Sequence, residues 1–146
     1  MTIKANALTP IPNDWSLQEA ATLPCAGLTA WRAIMEEGNL QPNETILVQG
    51  SGGVSIFALQ LAKAHGANVI ATTSSDEKAE KLKSLGADEV VNYKEHPQWG
   101  KEVLKLTANE GVDHVVEVAG GESFNESIRC AKLGGHISII GILDGN

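Results

Sequence analysis

Five short apolar runs, each followed or preceded by a stretch of helical periodicity, restrict this chain to very few folds. Residues 45–49 (Thr-Ile-Leu-Val-Gln) are too few for a helix and rich in β-formers, so they read as a buried strand. Residues 68–72, 89–93, 114–118 and 136–140 repeat the pattern. Between them, apolar positions recur at helical spacing: Val54, Phe57, Ala58, Leu61 and Ala62 in the first interval, ending at Gly66. Further helices are expected from Ser74 through Lys83, over 99–107 and over 123–132. Ser74 with Glu77 reads as a capping box opening the first of these. Strands joined by single helices must run parallel, with right-handed crossovers and helices on both faces. The expected fold is therefore α/β: a Rossmann-type doubly wound parallel sheet of order 3-2-1-4-5.

Upstream, Ser16-Leu17-Gln18-Glu19 reads as a capping box for a short helix that stops near Pro24. A second helix is expected over 27–37, closed by Gly38. At 146 residues the whole chain is one domain's worth, with 16–38 as a helical lead-in.

The chemistry-bearing motif is Gly50-Ser51-Gly52-Gly53-Val54-Ser55, placed between the first strand and its helix. A lone glycine pattern says little, but glycines at this junction have physical tasks. Gly50 allows the tight turn, and Gly52 lets the backbone approach a pyrophosphate. The helix start at Gly53 and Val54 then offers amides and a partial positive charge. Ser55 stands where a third glycine or an alanine is usual and is still small enough for close helix–strand packing.

The end of the second strand bears on which dinucleotide fits. Sites for NAD place an Asp or Glu there to hold the ribose 2′-hydroxyl. Here the chain reads Ala71-Thr72-Thr73-Ser74-Ser75, with no carboxylate before Asp76, whose place is the helix's first turn. Thr73, Ser74, Ser75 and the Lys78 cation suit a 2′-phosphate, so NADP(H) is favoured. If Ser74 only caps the helix and Lys78 is solvated, NAD(H) remains the alternative.

The formal net charge of −7 counts against nucleic-acid or anionic-membrane surfaces. No apolar stretch reaches the roughly 18 residues a membrane span needs, and no signal-peptide pattern opens the chain. Cys25 and Cys130, far apart, read as reduced thiols of a cytoplasmic protein.

Three motifs in order, Ala20-Ala21-Thr22-Leu23-Pro24-Cys25-Ala26-Gly27-Leu28-Thr29-Ala30-Trp31, Val48-Gln49-Gly50-Ser51-Gly52-Gly53-Val54 and Leu85-Gly86-Ala87-Asp88, resemble the medium-chain dehydrogenase/reductase family. The likeness covers nearly the whole chain and is closest to the zinc-type alcohol dehydrogenase-like and quinone oxidoreductase branches. It implies a hydride-transfer oxidoreductase using NAD(P)(H), acting on a small alcohol, carbonyl, quinone or enone. It also implies roles for single residues. Gly52, Gly53 and Val54 match the pyrophosphate turn, Ser75 and Lys78 the 2′-phosphate positions, and Tyr93 a tyrosine beside the same phosphate. Thr29 matches a threonine near the nicotinamide. Val118-Ala119-Gly120 and Gly141-Ile142-Leu143 match the loops bordering the nicotinamide and its ribose.

In zinc-dependent members a cysteine in the context of Cys25 ligates the catalytic metal. Such a site needs three protein ligands, and the histidines here show no ligand spacing with Cys25. Cys25 is read instead as a small buried hydrophobe, and no metal is expected. Family members add an N-terminal substrate domain and a sixth strand and are commonly dimers. Residues 1–146 are therefore expected to be the dinucleotide-binding domain alone, without the substrate domain or its catalytic residues, binding cofactor without turnover. The alternative is a stand-alone, non-catalytic dinucleotide-binding module.

Overall fold

The structure, a computed structural model, describes residues 2–143 and 145. A five-stranded parallel sheet carries β1 (Thr45–Gln49), β2 (Asn68–Thr73), β3 (Glu89–Asn92), β4 (Val112–Glu117) and β5 (Ala131–Ile139) in the order β3-β2-β1-β4-β5. The chain first builds outward from β1 through β2 to β3. It then returns to the other side of β1 for β4 and β5, so the winding reverses between β1 and β4.

Side-chain alternation along each strand divides the core into two layers. Ile46 and Val48 of β1 join Val69, Ala71 and Val116 on one face, under α2 (Leu28–Trp31), α3 (Gly53–Ala64) and α4 (Asp76–Ser84). Leu47 faces the other way, with Ile70, Val91 and Val115, and packs under α5 (Trp99–Leu106) and α6 (Ser123–Cys130). Val112 shares that second face with Val115, three residues on, because the β4–β5 register shifts between Val112 and His114.

The lead-in differs from the expectation at Pro24. The capping box is present: the Ser16 hydroxyl accepts from the Glu19 amide at 3.2 Å, and the Glu19 carboxylate accepts from the Ser16 amide at 2.8 Å. The helix that it opens, α1 (Leu17–Thr22), does not stop at the proline. It widens into a π-helical turn over Leu23–Gly27, continues as α2, and widens again over Arg32–Glu36. Proline lacks the amide that a regular turn would use, and its ring crowds the carbonyl four residues back; a wider turn accommodates both.

Several other boundaries move, among them β4, which opens at Val112 rather than His114, and β5, which opens at Ala131 rather than His136. Helix α4 is capped by Ser75, whose hydroxyl accepts from the Lys78 amide, and not by a Ser74–Glu77 box. The cause is β2, which runs on to Thr73 to pair with Asn92 and so delays the helix by one residue. Helix α6 ends at Cys130 rather than Lys132. Strand β5 then begins at Ala131, because the chain leaving the helix pairs at once with Val112.

Cys25 is exposed and Cys130 buried. The expectation that Cys25 packs as a small hydrophobe is thereby corrected: on the widened turn its side chain points away from the core that Gly27 and Ala30 face.

Candidate functional site

A cleft of about 1460 Å³ runs across the carboxyl ends of the strands, where open α/β sheets bind ligands. Its floor is the junction between β1 and α3. The chain leaves β1 through Gly50 at φ +72°, a conformation that favours glycine, and the Gly50 amide donates back to the Thr72 carbonyl at 2.9 Å. Gly52 then occupies the N-cap of α3 with no side chain to satisfy the helix's first amides. These amides, with the positive end of a twelve-residue helix, open into the cleft. The turn is anchored from below by Ser55, 1% exposed, whose hydroxyl donates to the Gln49 carbonyl at 2.6 Å. A Cβ added at Gly50 or at Gly52 would meet nothing within 4 Å. The space above the turn is free.

Ten of the expected residues line this cleft: Gly50, Gly52, Gly53 and Val54 on the turn, Lys78 and Tyr93 beyond β2 and β3, and Val118, Ala119, Gly141 and Leu143 beyond β4 and β5. Six lie off it. Thr29 is half-buried on α2, and Ser74 and Ser75 are half-buried on the turn that leads to Lys78. Gly120 and Ile142 line an adjoining pocket of about 400 Å³. Thr73 is 1% exposed at the end of β2, and its hydroxyl has no hydrogen-bond partner among the described residues.

The charges match the position of each residue. The Lys78 side chain is exposed on the cleft wall and makes no ion pair among the described residues. Asp76, the first carboxylate after β2, stands at the start of α4, where the helix dipole favours it, and accepts from Asn92 Nδ2 at 3.3 Å. No carboxylate therefore closes β2 itself.

The loops after β4 and β5 meet over the sheet edge. Gly120 has φ +73°, and a Cβ there would stand 3.0 Å from Ile142 Cα. A Cβ on Gly141 would stand 2.6 Å from the Val118 carbonyl oxygen. Each glycine is needed where the two loops close on one another.

Behind these loops lies a group of residues the sequence reading missed. Gln49 ends β1, Glu117 ends β4 and Ser127 lies on α6; all three are buried and hydrogen-bonded to one another. A signal was present, since Gln49 closes one largely apolar run and Glu117 interrupts another. The far wall of the cleft, with Trp99, Asn125 and Arg129 from α5 and α6, was likewise not foreseen.

Comparison with known proteins places this geometry. The pattern of the zinc-binding dehydrogenases matches residues 53–146. A zinc-type alcohol dehydrogenase-like protein of Schizosaccharomyces pombe is 48% identical over 143 residues, covering 97% of this chain and 41% of that protein. The crystal structure of an NAD-dependent alcohol dehydrogenase superposes with a TM-score of 0.87 at 42% identity, covering 94% of this chain and 40% of that one. A mycobacterial protein complexed with NADPH superposes with a TM-score of 0.86 at 33% identity, over 92% of this chain and 42% of that one. The chain thus spans about two fifths of the length of the relatives it matches.

Proposed function

The chain belongs to the zinc-binding dehydrogenases of the medium-chain dehydrogenase/reductase family, and from that premise we propose that its cleft binds a nicotinamide dinucleotide, NADP(H) in preference to NAD(H), for an oxidoreductase. One observation carries the reading. The uncapped N-terminus of α3, reached through Gly50 and Gly52, opens into the cleft beside the point where the winding reverses. A pyrophosphate set there would take the first-turn amides of α3. The Ser74–Ser75 turn and the Lys78 cation would receive the 2′-phosphate, and no carboxylate at the end of β2 would repel it. Val118, Ala119, Gly141 and Leu143 would border the nicotinamide end.

The bound cofactor supplies hydride transfer, and this chain's part is to hold and orient it. In the whole protein the substrate is a small alcohol, carbonyl, quinone or enone. The zinc of the zinc-binding dehydrogenases finds no donor set among the described residues of this chain. Among the described residues no three His, Cys, Asp or Glu side chains stand together, and Cys25 alone is one ligand where a catalytic site needs three. No step is assigned to a metal.

Calorimetric titration with NADPH and NADH tests the proposal. NADPH is expected to bind more tightly. Lys78→Ala is expected to weaken NADPH by roughly tenfold, the equivalent of one exposed charge-assisted contact, and to leave NADH unchanged. Equal or tighter NADH binding would overturn the preference.

A further inference from the structure

We infer that Gln49, Glu117 and Ser127 form a buried clamp that fixes the loop after β4 in its dinucleotide-binding position. The inference rests on the reading of the cleft given above and assigns these three as positioning residues. They are 5%, 0% and 0% exposed. Polar groups buried so fully need complete hydrogen bonding, and here the partners are specific.

One Glu117 oxygen, Oε2, accepts from Gln49 Nε2 at 2.9 Å and from the Ser127 hydroxyl at 2.5 Å. The other, Oε1, accepts from the amides of Ala119 at 2.8 Å and Gly120 at 2.9 Å. Gln49 Oε1 accepts from the amides of Val118 at 3.0 Å and Ala119 at 3.2 Å, while its Nε2 also donates to Ser127 Oγ at 2.8 Å. Three successive amides, from Val118 to Gly120, are therefore held by two side chains at the ends of adjacent strands.

This arrangement is required by the path of the chain. At Val118 the backbone leaves the ladder, and at Gly120 it turns through φ +73°, so its amides lose their strand partners while still shielded from water. The sense of each bond is also fixed. Both Glu117 oxygens accept, so the Gln49 amide presents its nitrogen to Glu117 and its oxygen to the loop. Val118 and Ala119 face the cleft, so the clamp sets the height of that wall through their amides, while Gln49 itself also lines the cleft at the end of β1. Ser127 extends its grip to α6, which contributes Ser123 and Asn125 to the same cleft.

A reversal of the pair provides the test. Gln49→Glu sets two carboxylates against each other and removes the donor between them. Gln49→Glu combined with Glu117→Gln restores a donor facing an acceptor, with the roles exchanged. Dissociation constants for NADPH are measured by calorimetry and corrected to the folded fraction from circular dichroism. Exchange of the Val118, Ala119 and Gly120 amides is followed by NMR. Gln49→Glu is expected to weaken binding more than about tenfold, as small misplacements of a binding wall do, and to speed exchange at the three amides. The double variant is expected to return to within about threefold of the unaltered chain, with protection regained. Ser127→Ala, a milder change, is expected to weaken binding severalfold and keeps the test decisive if Gln49→Glu does not fold.

Unchanged affinity per folded molecule in Gln49→Glu and Ser127→Ala would overturn the clamp, as would a double variant that regains neither affinity nor protection. If the unaltered chain bound no dinucleotide, the proposed function would fall, and with it the positioning role. The amide protection would still show separately whether the three residues hold the loop.

Discussion

Gly52 separates what the fold requires from what a ligand requires. It sits at the N-cap of α3 with φ −75° and ψ 168°, a conformation open to any L residue, and a Cβ there would meet nothing within 4 Å. Nothing in the protein itself demands glycine. Alanine is a poorer N-cap than glycine by about 0.5–1 kcal/mol. Its stiffer unfolded chain returns about 0.4–1 kcal/mol. The two nearly cancel, so Gly52→Ala should shift stability by less than about 1 kcal/mol and Tm by no more than about 4 °C. A pyrophosphate lying against this turn would meet the new methyl directly. Overpacking of that kind costs about 1–3 kcal/mol, or roughly 5- to 150-fold in Kd for NADPH. Thermal melting paired with calorimetric titration reads both effects on one sample. Gly50→Ala is the contrast. At φ +72° it should lose about 1–2 kcal/mol of stability from the backbone alone. A Gly52→Ala variant that binds NADPH within twofold of the unaltered chain would refute the placement of the pyrophosphate. One that melts far below it would show that the glycine serves the fold.

Other expectations follow from the same geometry. Gly120→Ala adds contacts of 3.0 Å with Ile142 Cα and the Gly145 carbonyl to a positive-φ cost, so it should destabilise by about 1–3 kcal/mol more than Gly134→Ala, where a Cβ at φ +81° meets nothing; equal melting of the two would contradict the packing of these loops. Burial would raise the carboxyls of Asp88 and Asp113, but bonds from Lys63 and the Val69 amide, and from the Thr45 amide and Lys132, outweigh it and hold both below the usual carboxylate range. Their folded values lie below the unfolded ones, so the stability they contribute is complete above the ordinary value near pH 4 and is lost as pH falls through the folded values. Acid titration should therefore show a shallower unfolding limb for the Asp88→Asn, Asp113→Asn double variant, and an unchanged limb would count against both bonds. Burial pushes the Cys130 thiol up to about 12, while Cys25 is exposed. A thiol reagent at pH 8 should titrate one cysteine in the native chain and both in denaturant; two fast native thiols would contradict the placement of Cys130.

Much of this architecture is legible in the sequence because it depends on local periodicity. The run Thr45–Gln49 is a strand over the same residues that the pattern marks, and the glycines after it stand at the junction that gives them their task. What escapes the reading depends on long-range pairing. Thr73 joins β2 only because Asn92 lies beside it, and that pairing moves the helix cap from Ser74 to Ser75. Ala131 joins β5 only because Val112 is available. Pro24 marks a helix stop by local rules, yet a widened turn lets the helix pass through it. The candidate site divides in the same way. The turn from Gly50 to Val54 is recognisable from residue type alone. Gln49 and Ser127 are 78 positions apart, and their meeting with Glu117 follows only from the order of the strands.

The central claim is that the cleft over the strand ends holds a nicotinamide dinucleotide, and amide NMR of the chain during addition of NADPH tests it most directly. The account predicts shifts concentrated at Gly50 to Val54, Thr73 to Lys78 and Val118 to Ala119, with the opposite end of the sheet, around Gly66 and Gly111, unmoved. No shifts at saturating NADPH, or shifts centred on that opposite end, would contradict it.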